Sequence, residues 1–295
     1  VTQHTVRILP DVAQTFPCER HRLSDIDVSD TPGGTTKRRL TLATVAVGAM
    51  LALSACGGGG DSKPEATGEG GVPLVKEGQL TTCTHLSYQP FQFEKDGKVV
   101  GFDVDIVDAV AKKLGVKQEI INTSFETITS GAEFNQKKCD VAAAATTIQP
   151  KREEAADFSD PYFDANQAIL TKGDKKAKDE AALKGFKVGA QAGTTGLEYA
   201  TEHFKDSEVV TYEDLPLSLE ALKTGQVDAV INDNGVLYNY NTENKGFAIG
   251  FDIKTDEHYG ISMKKGNTKM KTAVDDTLKE IKGNGEYDKI STRLT

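Results

Sequence analysis

From residue 80 onward, apolar positions recur in two alternating rhythms. Leu80-Thr-Thr-Cys-Thr84, Gln118 to Asn122, Val141 to Ala145, Lys187-Val-Gly-Ala-Gln191 and Ala229-Val-Ile231 are short apolar or alternating runs of strand length. Phe91 to Phe93 and Val99-Val100 read as extended pieces around the turn Asp96-Gly97, and Gln167 to Thr171 as another. Between the strands the spacing lengthens to a helical period. Val104, Val107, Ala111 and Leu114 share one face of a helix over 103–114, with its acids early, Lys112-Lys113 late and Gly115 closing it. Helical segments follow over 180–183, over 197–204 and over 217–224, the last opened by Pro216 and closed by Gly225. The final helix carries Met270, Val274, Leu278 and Ile281 along one face. This alternation predicts an α/β protein with mainly parallel sheets. Two series of similar grammar, meeting near Tyr162 to Asn166, predict two lobes.

The N-terminus follows neither rhythm. Lys37-Arg38-Arg39 precede Leu40 to Leu53, an uncharged run of 14 residues, and then Ser54-Ala55-Cys56. That is the charge, length and small-residue ending of an export signal, too short to span a membrane comfortably. Leu53-Ser54-Ala55-Cys56 resembles a lipobox, which implies lipidation of Cys56; an ordinary secretory signal with a chance cysteine is the alternative. Residues 1–36 are a polar upstream extension, and 57–76 are Gly-rich and read as a flexible tether. Lobe 1 is expected over 77–161 and 260–295, a hinge at 162–166 and 255–259, and lobe 2 over 167–254.

Charge and cysteine content narrow the partners. Residues 57–295 carry 29 Lys/Arg against 39 Asp/Glu, a net charge of −10, which argues against nucleic acid and for a soluble, acidic, exported monomer. Cys83 and Cys139 lie in or beside predicted strands, and in an oxidising compartment they are expected to form a disulfide; two buried thiols are the alternative. The five histidines are scattered, so neither a metal nor a cofactor is expected.

Candidate chemistry gathers where strands end. Val141 to Ala145 runs into Thr146-Thr147, and Pro150 then opens a short helix with Arg152. A guanidinium with neighbouring hydroxyls can grip a carboxylate bidentately, although Arg152 could instead pair at the surface with Glu153 or Asp157. Gly193-Thr194-Thr195 precedes a helix and offers backbone N–H groups, hydroxyls and a positive dipole end; it could equally be a turn and N-cap. Asn232-Asp233 ends a third strand, where Asp233 can accept from an ammonium or cap a helix.

These blocks, with Tyr88-Gln-Pro-Phe-Gln-Phe93, Gly101-Phe-Asp-Val-Asp105 and Tyr259-Gly-Ile-Ser-Met-Lys-Lys-Gly266, resemble the family 3 bacterial extracellular solute-binding proteins, the polar amino-acid receptors of ABC importers. The resemblance implies two α/β lobes on a two-stranded hinge, closing over one free amino acid, and a permease partner. It implies that Arg152, Thr147 and Thr195 bind the ligand's α-carboxylate and Asp233 its α-ammonium. Tyr88 and Phe125 would sandwich the ligand, Ala145 would add a carbonyl, and Gln191 and Asn232 would line the side-chain end. His85 stands where many relatives carry an acid, which favours a neutral or acidic ligand, glutamine or glutamate first; alternatively its ring faces away beside Cys83. Exported dehydratases for cyclohexadienyl compounds share the fold. The named positions, however, supply no paired nucleophile and base.

Overall fold

The structure is a computed structural model that describes residues 66–294. The export signal and Cys56 lie outside those residues. Two short strands, β1 (Thr67–Gly68) and β2 (Val72–Pro73), pair antiparallel at the start. Val72 and Leu74 are buried, and the Val75 N–H donates to Asp140 Oδ1 at 2.6 Å. Residues 66–76 are therefore part of the fold, not of the tether expected over 57–76. Two apolar side chains find cover there, and that outweighs the Gly-rich composition.

One five-stranded sheet is built from β3 (Gln79–Thr84), β6 (Lys117–Asn122), β7 (Val141–Ala142), β8 (Ala156–Phe158) and β14 (Ser262–Lys264), in the order β6-β3-β7-β14-β8. The other comprises β9 (Phe163–Lys172), β10 (Lys187–Gln191), β11 (Glu208–Tyr212), β12 (Ala229–Asp233) and β13 (Phe247–Tyr259), in the order β11-β10-β12-β9-β13. The small hairpin of β4 (Phe93–Lys95) and β5 (Lys98–Val100) turns at Asp96-Gly97. Each five-stranded sheet is mixed, not mainly parallel. β3 pairs parallel with β6 and β7, and β10 with β11 and β12. Antiparallel strands then take the other side, β14 between β7 and β8, and β9 between β12 and β13.

Two adjacent strands carry the chain between the sheets. Phe163, Asp164 and Ala165 of β9 face Tyr259, His258 and Glu257 of β13. Three residues beyond Tyr259, Ser262 starts β14 in the first sheet. Aromatic rings brace this crossing: Phe91 lies edge-on to Phe163 at 5.0 Å and to Tyr259 at 5.4 Å, and Phe163 stacks on Tyr259 at 5.4 Å. Such contacts contribute about 0.5–1.5 kcal/mol per pair beyond area burial.

Helices cover the sheets as their apolar stripes require. α1 (Phe102–Lys113) buries Phe102, Ile106, Val107, Val110 and Ala111, with Asp103 and Asp105 in its first turn and two lysines in its last. Its start depends on Gly101, at φ 135°, because a Cβ there would run into the Phe91 carbonyl. The long C-terminal helix over Thr268–Asn284 buries Met270, Val274, Leu278 and Ile281. Neighbouring residues in the central strands feed opposite cores: Val230 and Leu170 face one, Ile231, Ala229 and Ile169 the other. On the first sheet, Cys83 packs with Phe125, Ile128 and Phe134 and is joined to Cys139 by a disulfide.

Candidate ligand-binding site

The carboxyl ends of β3, β7, β10 and β12 converge on one cleft, where ligands sit in open α/β sheets. The lobes meet across it around a cavity of about 20 Å³, room for about one water, so a larger guest requires the lobes to part. Ten of the eleven residues singled out in the sequence line it: His85, Tyr88, Phe125, Ala145, Thr147, Arg152, Gln191, Thr194, Thr195 and Asp233. Gln92 and Ala144 complete the wall. Asn232 does not reach it. Its Oδ1 turns back to accept from the Asp233 N–H at 2.8 Å and to approach the Tyr88 hydroxyl, so it supports the wall from behind.

Arg152 sits on α2 (Pro150–Glu153), whose first position is a proline that needs no N–H partner. The guanidinium is buried, with 6% exposure, and its Cζ lies 5.4 Å from the Phe125 ring centre. Nη1 donates to the Thr147 carbonyl at 2.8 Å, and Nη2 crosses the cleft to the Gly193 carbonyl at 2.9 Å. Neither Glu153 nor Asp157 is its partner; Asp157 pairs with Lys265. Burial pulls the guanidinium below its ordinary value, an effect that Glu198, Asp233 and Glu257 oppose. The charge stays on Arg152 throughout the ordinary pH range.

Strand β7 was expected to run to Ala145 and stops at Ala142. Ala145 adopts φ 48°, and its N–H donates to Asp103 Oδ2 at 2.7 Å while the Tyr162 hydroxyl donates to Oδ1 at 2.8 Å. The α1 acid therefore holds the backbone in a left-handed bend that an alanine rarely adopts. Burial pushes Asp103 up to about 6, against the pull of these two hydrogen bonds.

On the other wall, Thr194 caps helix α3 (Thr195–His203) by accepting from the Leu197 N–H at 3.2 Å. Asp233 precedes α4 (Asn234–Glu243) but makes no side-chain cap, and its carboxylate turns to the cleft instead. Oδ1 accepts from Gln167 Nε2 at 2.5 Å, and Oδ2 from the hydroxyls of Tyr88 (2.8 Å) and Tyr259. Burial, with help from the nearby Glu257 charge, pushes Asp233 up to about 6. The same surroundings raise Tyr88 and Tyr259 well above 10, so both stay protonated donors.

His85 faces the cavity and does not turn away. Its Nδ1 is 2.9 Å from the Thr123 carbonyl, which can only accept, so Nδ1 carries a hydrogen, and in that tautomer Nε2 is the acceptor. That Nε2 is buried without a partner, as are Gln92 Oε1 and Gln191 Oε1. Three residues of the cavity wall thus each carry a buried acceptor without a donor.

Sequence reasoning missed four residues here. Gln167 Nε2 lies between the two carboxylates, 2.5 Å from Asp233 and 2.9 Å from Glu257. Glu257 accepts from the hydroxyls of Thr147 (2.7 Å) and Thr195 (2.8 Å). Tyr259 and Gln92 complete the group. Gln92 and Gln167 interrupt apolar surroundings with a polar atom, which is the available signal; Glu257 lies in a polar run that gives none, and the burial of Gln167, Glu257 and Tyr259 follows from the crossing of β9 and β13.

A two-lobed α/β body with a polar cleft at its strand ends is the architecture of type II periplasmic amino-acid-binding proteins. An ancestral arginine-binding protein, solved with arginine and again with glutamine, superposes with a TM-score of 0.70 at 38% identity, over 74% of this chain and 98% of its own. The chain belongs to the bacterial extracellular solute-binding proteins, family 3, whose model matches residues 80–294. It is 33% identical to the ABC transporter glutamine-binding protein GlnH of Bacillus subtilis, over 86% of this chain and 96% of that protein. It is 32% identical to a probable histidine-binding protein of Neisseria gonorrhoeae, over 81% and 89% respectively.

Proposed function

We propose that this protein is the extracytoplasmic capture component of an amino-acid ABC importer, and that its cavity holds one polar amino acid with a hydrogen-bond-donating side chain. The observation that carries the reading is the division of charge across one enclosed cavity. Arg152 supplies a guanidinium from one lobe and Asp233 a carboxylate from the other, and His85, Gln92 and Gln191, each with a buried unpartnered acceptor, also belong to the wall. In this reading Arg152 takes the ligand's α-carboxylate and Asp233 its α-ammonium, with Tyr88 and Phe125 flanking it. Closure depends on ligand because each lobe neutralises only one end of the zwitterion.

Glutamine stays within the favoured class and glutamate leaves it. An ionised side-chain carboxylate would bring only acceptors to His85 Nε2, Gln92 Oε1 and Gln191 Oε1. A guanidinium or amide brings donors. One buried cation against the two acids Asp233 and Glu257 also favours a cationic guest, so arginine and glutamine lead. The relatives named for arginine, glutamine and histidine support this class. A lipid anchor on Cys56, a permease partner and a monomeric state belong to the same proposal.

The test is a thermal-shift screen against the amino acids, followed by calorimetry. Ligand at a hundred times its Kd stabilises by about 2.7 kcal/mol, so arginine or glutamine should raise the melting temperature clearly. No response to any amino acid overturns the reading. Glutamate outranking both overturns the assignment of the side-chain end.

A further inference from the structure

The two hydroxyls expected to meet the ligand's carboxylate are already holding one. Thr147 Oγ1, from one lobe, and Thr195 Oγ1, from the other, both donate to Glu257 Oε2, at 2.7 and 2.8 Å. A threonine hydroxyl has one hydrogen. While Glu257 holds both, the two hydroxyls can present only lone pairs to the cavity. They are then poor partners for a carboxylate. Glu257 itself is 8% exposed, and its other oxygen accepts from Gln167 Nε2 at 2.9 Å.

We infer that Glu257 is an intramolecular competitor of the ligand's α-carboxylate. It occupies the hydroxyl hydrogens of Thr147 and Thr195, so it sets the affinity for any guest carrying a free carboxylate. The inference rests on the amino-acid reading of the cavity. To bind, a guest must turn both hydroxyls away from Glu257 and leave that carboxylate with Gln167 alone. Affinity is thereby held below what Arg152 and two free hydroxyls would give. A receptor that must hand its cargo to a permease requires a ligand that leaves.

Gln167 dictates what an amide would do in the same place. Its Nε2 donates, so in Glu257→Gln the new side chain must turn its oxygen toward Gln167. Its NH2 then faces the two threonines. Each hydroxyl changes from donor to acceptor on that side, and both hydrogens become free for the guest.

The experiment is calorimetric titration of wild type and E257Q with L-arginine, L-glutamine and L-histidine, and with the corresponding α-carboxamides. E257Q should bind the amino acid that wild type binds with a Kd about tenfold lower or better. The carboxamide, uncharged and with one accepting oxygen where the carboxylate has two, should gain clearly less than the amino acid. An unchanged or weaker Kd for the amino acid, or an equal gain for the carboxamide, overturns the assignment. Wild type that binds none of the three removes the amino-acid reading and this inference with it; binding without a gain removes the inference alone. Should E257Q not fold, E257A, which deletes the competing acceptor, carries the same expectation. Failure of both to fold makes Glu257 a structural requirement and also overturns the proposal.

Discussion

Asp233 should make apo stability and ligand affinity respond to pH in opposite directions. It is fully buried, next to Glu257, and its carboxyl is displaced from the usual 3.8 to about 6. The folded protein therefore holds this proton between about pH 4 and 6, where the unfolded chain has released it. Stability from this group is greatest at low pH and is lost as pH rises through 6, the sign opposite to that of a salt-bridged acid. The full displacement is worth about 3 kcal/mol, and integrating from pH 7.5 to 5 gives about 1.4 kcal/mol. Asp103, Glu133 and Asp157 also titrate, so the measurement is a difference. Urea unfolding of wild type and Asp233→Asn should diverge by that amount between the two pH values, with wild type gaining at pH 5. A guest ammonium needs the ionised carboxylate, of which about a tenth remains at pH 5, so affinity should fall about tenfold over the same interval. The facing groups Tyr88, Tyr259 and Gln167 stay neutral donors, and Arg152 stays charged. A wild-type-minus-variant difference that is flat with pH, or tighter binding at pH 5, refutes the argument.

Two further substitutions probe the other wall. Arg152 has five N–H donors, two of them committed to Thr147 and Gly193, which leaves three for a guest carboxylate. Arg152→Ala should therefore weaken amino-acid binding by about 3–6 kcal/mol, some hundredfold or more by calorimetry; a Kd within twofold of wild type in a folded variant contradicts the role. Asp103→Asn should preserve the Tyr162 contact but give Ala145 a weaker acceptor, costing about 1–2 kcal/mol in urea unfolding at pH 7 and loosening the β7 bend. Unchanged amide exchange at Ala145 in that variant speaks against the positioning role.

Elements whose burial follows a single period were legible in the sequence. β3, β10 and α1 fall within a residue or two of the expected bounds, and the C-terminal helix buries the face expected of it, because propensity, pattern and caps agree in each. β13 was not legible. Thirteen residues with Asp252, Lys254, Asp256 and Gly250, broken by two register shifts, carry no sustained alternation. The helix α4 showed in the sequence only through Asp233 as a possible cap, because Asn234-Gly235 opens it without a helical pattern; it forms because Val236 and Leu237 find cover in the core. The antiparallel ladders escaped for a different reason. β14 inserts between β7 and β8 from more than a hundred residues away, and nothing local in either strand specifies that neighbour.

The same distinction explains the site. Arg152, Thr195 and Asp233 were found because each ends a strand or opens a helix, where local chemistry signals an exposed polar group. Glu257 and Gln167 lie within long strands, and they reach the cleft only because β9 and β13 leave one sheet and approach the other. A carboxylate in Thr255-Asp-Glu-His-Tyr259 looks like one more charge on a solvated edge. Buried, it accepts from both lobes at once and changes what Thr147 and Thr195 can offer. Recognising a receptor's ligand end therefore takes more than the residues that would touch the ligand. It also takes the residue that holds their hydrogens when no ligand is present, and that residue is positioned by topology.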